Sequence, residues 1–376
     1  MAFSVLICAL GFVLILGTLV ALHEWGHYYA ARRVGIHPTA FSLGFGPTLW
    51  SRVDRHGTAW RVAMLPLGGS VQFLGDKNGS SAAPDAETVA QAAGMTPEER
   101  RLRFHLRGPG SRAIVIAAGP AVNLALGLAV MAGVLVFNGK QVTPPVVAEV
   151  SAGSPAQVAG IMAGDRFVSI DGTPVTDFSD IFKRVSLYPG RTMHVAVDRE
   201  GARREFDVVP ERAEIEAYGV RQGVGRIGVV SGRAEMVKVS PAEALQEGFS
   251  YAMTLTKGMF VAIGQIATGD RPISDMGGPV KMAQMSGSAL QLGIVPTLIL
   301  FATLSINLGL FNLLPFPVLD GGGLIVCALE AAMRRPVPAR WLNYAQNAGA
   351  VALIALMVVV TASDLDLIGL LRNARG

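Results

Sequence analysis

The sequence predicts an α-helical integral membrane protein with about four transmembrane helices, a membrane-associated β-hairpin and an extracytoplasmic α+β domain. Three observations predict it. The chain of 376 residues is 51% hydrophobic and only 16% charged, whereas soluble chains carry about 25% charge. Long apolar runs recur along it, the first being the twenty uncharged residues from Phe3 to Leu22. Between two of these runs lies a more polar block, 143–231, with short alternating segments.

Taken in order, residues 1–30 form the first span, because about 20 apolar residues at 1.5 Å rise cross a core of ~30 Å. A secretory signal peptide would need a basic start and a small-residue cleavage site. Met1-Ala2-Phe3-Ser4 carries no base, and the run ends in His23-Glu24-Trp25-Gly26-His27. Residues 31–111 read as a cytosolic loop. Within it, 58–64 and 70–74 alternate as strands around Pro66 to Gly69 and predict the hairpin, and Asp76 to Glu99 has no periodic apolar face. Residues 112–138 form the second span, with Asn123 its most polar member. In 143–231, strands at 146–150, 166–170, 192–198 and 204–209 alternate with helices at 155–160 and 177–187, an order that looks like a PDZ domain, with a generic α+β domain as the alternative. Residues 240–294 read as an amphipathic membrane-surface region. Residues 295–330 form a third span and 346–364 a fourth.

The net charge of +4 comes mostly from arginine. Arg32 and Arg33 follow the first span, Arg107 and Arg112 lead into the second, and Arg334, Arg335 and Arg340 lie between the third and fourth. The positive-inside rule puts those connections in the cytosol. The N-terminus, residues 138–294 and the C-terminus then face outward, although Arg372 and Arg375 run against this. No basic run is interleaved with aromatics, so no nucleic-acid partner is expected. Cys8 and Cys327 sit in apolar runs and read as small buried hydrophobes, not as a disulfide or a zinc knuckle.

His23-Glu24-Trp25-Gly26-His27 has the H-E-x-x-H pattern. Residues four apart on a helix lie one above the other, so two imidazoles can converge on one zinc ion. Glu24, one step round, can reach the attacking water without being a ligand, as a general base does. The plain alternative is three polar residues meeting water at a helix end. Catalytic zinc takes a third protein ligand. His37, His56, His105 and His194 lie in loops or in the outer block, whereas Asp320 follows an apolar stretch similar in length to the one before His23. That common depth favours Asp320; the alternative is an Asp-Gly turn that ends a helix.

At these residues the chain resembles the site-2 protease family of intramembrane zinc metalloproteases. The first-span His23–His27 motif and the distal Asn312-Leu-Leu-Pro-Phe-Pro-Val-Leu-Asp320-Gly stretch carry the resemblance. The layout is similar to the bacterial RseP-like branch, here with one PDZ domain. The resemblance implies Zn2+ on His23, His27 and Asp320, with Glu24 as base. It implies substrate held by Asn312, with Asn307 beside it. Gly44-Phe45-Gly46-Pro47 matches a loop dipping toward the site, and Gly68, Gly69 and Val71 belong to a hairpin that offers its edge to substrate. An unwound peptide in a dry setting needs partners for its N–H and C=O groups, and a strand edge supplies them. Gly323 departs from the family by standing where RseP-like chains often carry His.

The implied partners are single-pass membrane protein substrates, anti-sigma factors among them, a peptide or C-terminus at the PDZ domain, and the lipid bilayer. The implied location is the bacterial inner membrane, with the N-terminus and PDZ domain extracytoplasmic and the active site near the cytosolic face. Clearance of signal-peptide remnants, a non-catalytic PDZ scaffold and a zinc transporter are the competing readings. The intact Glu24 speaks against a scaffold, and ligands at a single depth speak against a transporter.

Overall fold

A computed structural model describes residues 2–75, 92, 94–217, 220–272 and 277–365, with side chains assigned for all but 2–4, 66–67, 216–217 and 220–222. The chain divides into two compact units, 1–130 with 277–376, and 131–276. Most of the Asp76–Glu99 loop falls outside the described residues, up to the short helix at its end.

The first helix starts as α1 (Ala2–Phe12), passes through one π-helical turn (Val13–Gly17) and continues as α2 (Thr18–Arg33). Two long strands follow, β1 (Pro38–Val53) and β2 (Ala59–Phe73). Their pairing corrects the hairpin read from the sequence. Residues 58–64 and 70–74 do not pair with each other around Pro66 to Gly69; apart from their outermost residues, Thr58 and Leu74, they are two parts of β2, and β1 is the partner. The decisive turn is at 54–58, where the Asp54 carboxylate accepts the N–H groups of His56 and Thr58 and the Trp60 indole N–H. Gly57 supplies the positive φ there, 81°. Both strands bend, at Gly44 and Gly46 in β1 and Gly68 in β2, all with positive φ. Residues 40–43 consequently find partners on two sides, 59–62 and 69–72. Residues 69–73 have described partners on one side only and form an edge row.

Helix α3 (Pro97–Leu102) has a capping box between Thr96 and Glu99. Helix α4 (Pro109–Asn138) follows. In the second unit, β3 (Lys140–Val142), β4 (Val147–Val150), α5 (Pro155–Ala159), β5 (Arg166–Ile170), β6 (Thr173–Pro174), α6 (Phe178–Val185), β7 (Met193–Arg199) and β8 (Ala202–Val208) follow in order. Ser154 caps α5 and Gly160 ends it in the left-handed region, while Asp177 caps α6. The sheet runs β6-β5-β7-β8, and β7 and β8 turn on Glu200-Gly201, both at positive φ. Phe167, Ile170, Val195, Val197 and Ile181 fill the core. Beneath it the fully buried Asp165 takes a two-pronged ion pair from Arg199, at 2.7 and 2.8 Å. Strands β9 (Glu211–Ala217), β10 (Val220–Arg226), β11 (Val229–Ser231) and β12 (Glu235–Val237) follow. Helix α7 (Pro241–Thr268) closes the unit.

The chain returns through α8 (Pro279–Leu292), α9 (Ile294–Asn312), α10 (Asp320–Met333) and α11 (Ala339–Asp364). The stretch 295–330, read as one span, is therefore two helices separated by a turn at 313–319. Among the described residues four helices are long and apolar enough to cross a membrane: Val5–Arg33, Pro109–Asn138, Ile294–Asn312 and Ala339–Asp364. Small residues make close helix contacts here, as expected where lipid removes the hydrophobic drive. A Cβ on Gly127 of α4 would lie 2.9 Å from the Ala302 carbonyl oxygen of α9. Gly287 of α8 takes the Cys8 backbone of α1 in the same way, at 2.8 Å. Both cysteines are free thiols. A buried ion pair between Arg112 and Glu330 ties α4 to α10.

Candidate metal centre

Three of the expected site residues converge. The Nε2 atoms of His23 and His27 are 3.1 Å apart. Asp320 Oδ2 lies 3.1 Å from the first and 3.5 Å from the second. Zinc bonds of ~2.0–2.2 Å in tetrahedral array put neighbouring ligand atoms about 3.3 Å apart. The observed triangle has that size.

The donor chemistry fits as well. Asp320 Oδ2 is buried without a hydrogen-bond partner. The His27 Nδ1–H donates to the Val115 carbonyl at 2.9 Å, so its Nε2 turns a lone pair toward the triangle. Three electron-rich atoms facing one point suit a cation there. When bound, zinc supplies Lewis acidity at a scissile carbonyl and makes water acidic near neutral pH.

Local sequence explains how each of the three side chains arrives. α2 holds His23 and His27 one turn apart. α2 and α4 touch backbone to backbone: a Cβ on Gly26 would sit 2.6 Å from the Ala118 carbonyl oxygen. Gly119 of α4 lies directly under the imidazoles, and a Cβ there would fall 2.3 Å from His27 Nε2 and 2.9 Å from His23 Cε1. Asp320 opens α10 rather than closing a helix. The turn before it wraps tightly over the glycines that follow: a Cβ on Gly321 would meet the Leu314 carbonyl oxygen at 2.1 Å, and one on Gly322 the Phe316 carbonyl oxygen at 2.3 Å. Asp-Gly-Gly thus places a carboxylate at the first position of a helix that only a side-chain-free neighbour can form.

A cavity of about 710 Å³ surrounds the triangle. Glu24 and Asn312 line it, with Gly68, Gly69 and Val71 of β2 and Phe45 of β1. A Cβ on Gly69 would come 2.6 Å from Glu24 Cγ, so the strand edge runs against the helix that carries the base. Asn307 is not among the lining residues. The sequence reading missed several positions. Asn123 is fully buried, with its side-chain amide 3.4 Å from His23 Nδ1. The amide Nδ2 faces that ring, and Oδ1 has no partner. With the two amide atoms exchanged, Oδ1 accepts the His23 Nδ1–H, and the NH2 group takes the position that has no described partner. A lone amide in a span was the available signal. Gln346 and Asn347 of α11 also line the cavity, and nothing local marked them.

The comparisons with known proteins agree with this chemistry. The pattern of peptidase family M50 matches residues 11–356. The chain belongs to peptidase family M50. A protein of Agrobacterium fabrum named as a zinc metalloprotease is 39% identical, over 94% of both chains. Metalloprotease MmpA of Caulobacter vibrioides is 33% identical over 96% of both. The regulator of sigma-E protease RseP of Salmonella typhimurium is 27% identical over 94% of this chain and 97% of its own. The M50 membership makes the chain a membrane zinc metalloprotease.

Proposed function

We propose that this M50 protein cleaves the transmembrane segments of single-pass membrane proteins, with His23, His27 and Asp320 as zinc ligands and Glu24 as general base. One observation carries the reading: the ligand triangle lies between helices of spanning length, beside a base and an unpaired strand edge. In this mechanism an unwound substrate adds to residues 69–73, whose backbone groups satisfy its own. Its scissile carbonyl is thereby presented toward the triangle. The Glu24 carboxylate takes a proton from the attacking water and returns it to the leaving amine. Asn312 steadies the substrate.

The exposed apolar side chains of Phe45, Leu49, Trp50, Met64 and Leu65 support a sheet dipped into lipid. The placement of arginines supports a cytosolic site and an outward-facing residue block 143–231, which acts as a PDZ domain binding extended peptides. The relation to a protease named for sigma-E regulation supports substrates that restrain transcription factors. The test compares wild type with Glu24→Gln on a tagged single-pass substrate in proteoliposomes. The variant is expected to keep its zinc and lose cleavage by at least 100-fold. Cleavage at the wild-type rate would overturn the mechanism.

A further inference from the structure

A second cavity, of about 580 Å³, lies apart from the metal centre, where α4 begins and α10 ends. Arg107, Arg112, Arg334 and Arg335 line it, against Glu330 as the lone acidic lining residue. Glu330 is already used: one carboxylate oxygen takes Arg112, and the other accepts the Val337 N–H at 3.0 Å. Arg112 is only 7% exposed, and its Nε has no partner among the described residues. Arg107 gives one nitrogen to the Val34 carbonyl and likewise keeps a buried, unpartnered Nε. Arg334 and Arg335 are exposed, with no ion-pair partner among the described residues. The first residues of α4 and α11, Pro109 and Ala339, also line the cavity, and α11 has no side-chain cap. Two positive helix ends thus add to the arginines, against the one negative end of α10.

A guanidinium Nε buried without an acceptor is costly unless something occupies the space in front of it. Four arginines, two helix N-termini and an open volume specify an anion. Guanidinium forks match phosphate oxygens in particular. We propose that this cavity binds a phosphate group, that of an anionic phospholipid. The location favours the lipid over a soluble phosphate compound. Two of the bordering helices, Pro109–Asn138 and Ala339–Asp364, are of spanning length and start here, so the cavity lies at the level of headgroups on the arginine-rich face. The occupant bridges the start of α4, which carries Gly119 and Asn123, to the end of α10, which begins with Asp320.

The test uses the full-length protein in nonionic detergent, with bound lipid counted by native mass spectrometry. Phosphatidylglycerol, phosphatidylcholine and inorganic phosphate are the three probes. The variant combines Arg334→Asn, chosen because position 334 has φ 53° and Asn tolerates that region, with Arg335→Gln. Each arginine near a membrane surface contributes roughly a fivefold effect, so phosphatidylglycerol affinity should fall about 25-fold in the variant. Zinc content should stay at the wild-type level, which separates this loss from failure of the metal centre. Preference for phosphatidylglycerol over phosphatidylcholine, lost in the variant, supports the proposal. Saturable binding of inorganic phosphate that is lost in the variant, without preference between the lipids, supports the anion site and assigns its occupant to solution. Equal phosphatidylglycerol binding by wild type and variant overturns it.

Discussion

Replacing Gly119 with alanine tests the geometry of the metal centre most sharply. Helix propensity alone favours this change by about 1 kcal/mol. The structure predicts the opposite outcome for metal. The added carbon would lie 2.3 Å from His27 Nε2 and 2.5 Å from its Cε1. Non-bonded heavy atoms settle at about 3.5 Å, so the ring must move by roughly 1 Å. Ligand distances in a working site hold within about 0.2 Å. The helix cannot simply withdraw, because Gly26 and Ala118 already hold α2 and α4 in backbone contact. Disturbing the groups that merely orient a ligand lowers metal affinity about 10–100-fold. Moving the ligand itself should reach at least the upper end, about 100-fold. Zinc per protein, measured by mass spectrometry after dialysis against a series of zinc buffers, reads the effect. Gly133→Ala on the same helix, where a Cβ meets nothing within 4 Å, is the control and should bind zinc normally. Asp320→Ala marks the level of full loss. Wild-type zinc affinity in Gly119→Ala would refute the placement of the imidazoles.

Asn123→Ala should weaken zinc binding about 10-fold by freeing the His23 ring, and Asn123→Asp, which keeps an acceptor, should restore it; equal loss in both would assign Asn123 to packing alone. Gly69→Ala should leave zinc in place and lower cleavage about 10-fold, since its Cβ would press on Glu24 Cγ and on the Ser42 carbonyl oxygen, at 2.6 and 3.0 Å. Unchanged turnover in that variant would separate the strand edge from the base. In the second unit, burial pushes the Asp165 carboxyl up, but the Arg199 and Met162 donors outweigh it and hold its pKa below the ordinary 3.8. Its stabilisation is therefore fully present above about pH 5 and fades as pH falls below 3.8 through the folded value. Asp165→Asn should cost about 3 kcal/mol and remove that acid dependence. Hydrogen exchange of residues 147–208 in the full-length protein measures both, and an unchanged protection profile would contradict the reading.

What could be read from the chain alone was local. Four apolar runs of spanning length, the four-residue step from His23 to His27, and turn residues such as Glu200-Gly201 declare themselves within a few positions, because helix and strand periods are short. Asp320 was reachable by one further step, a common depth in the bilayer. The β-rows were not: alternation in 58–64 and 70–74 is the same whether the two segments pair with each other or both pair with β1. Only the Asp54 turn and the bends at Gly44, Gly46 and Gly68 choose between these. Pro315 and Pro317 marked an interruption near 313–319, but not that Asp320 opens a new helix, which depends on carbonyls closing over Gly321 and Gly322. Gly119 and Asn123 sit about a hundred residues from the histidines they serve, and their roles exist only where two helices pack within a side chain's reach. The sequence by itself determined which atoms can hold the metal. Tertiary packing decided that they meet, because a ligand triangle about 3 Å on a side is set by how closely backbones approach, and no local period encodes that distance.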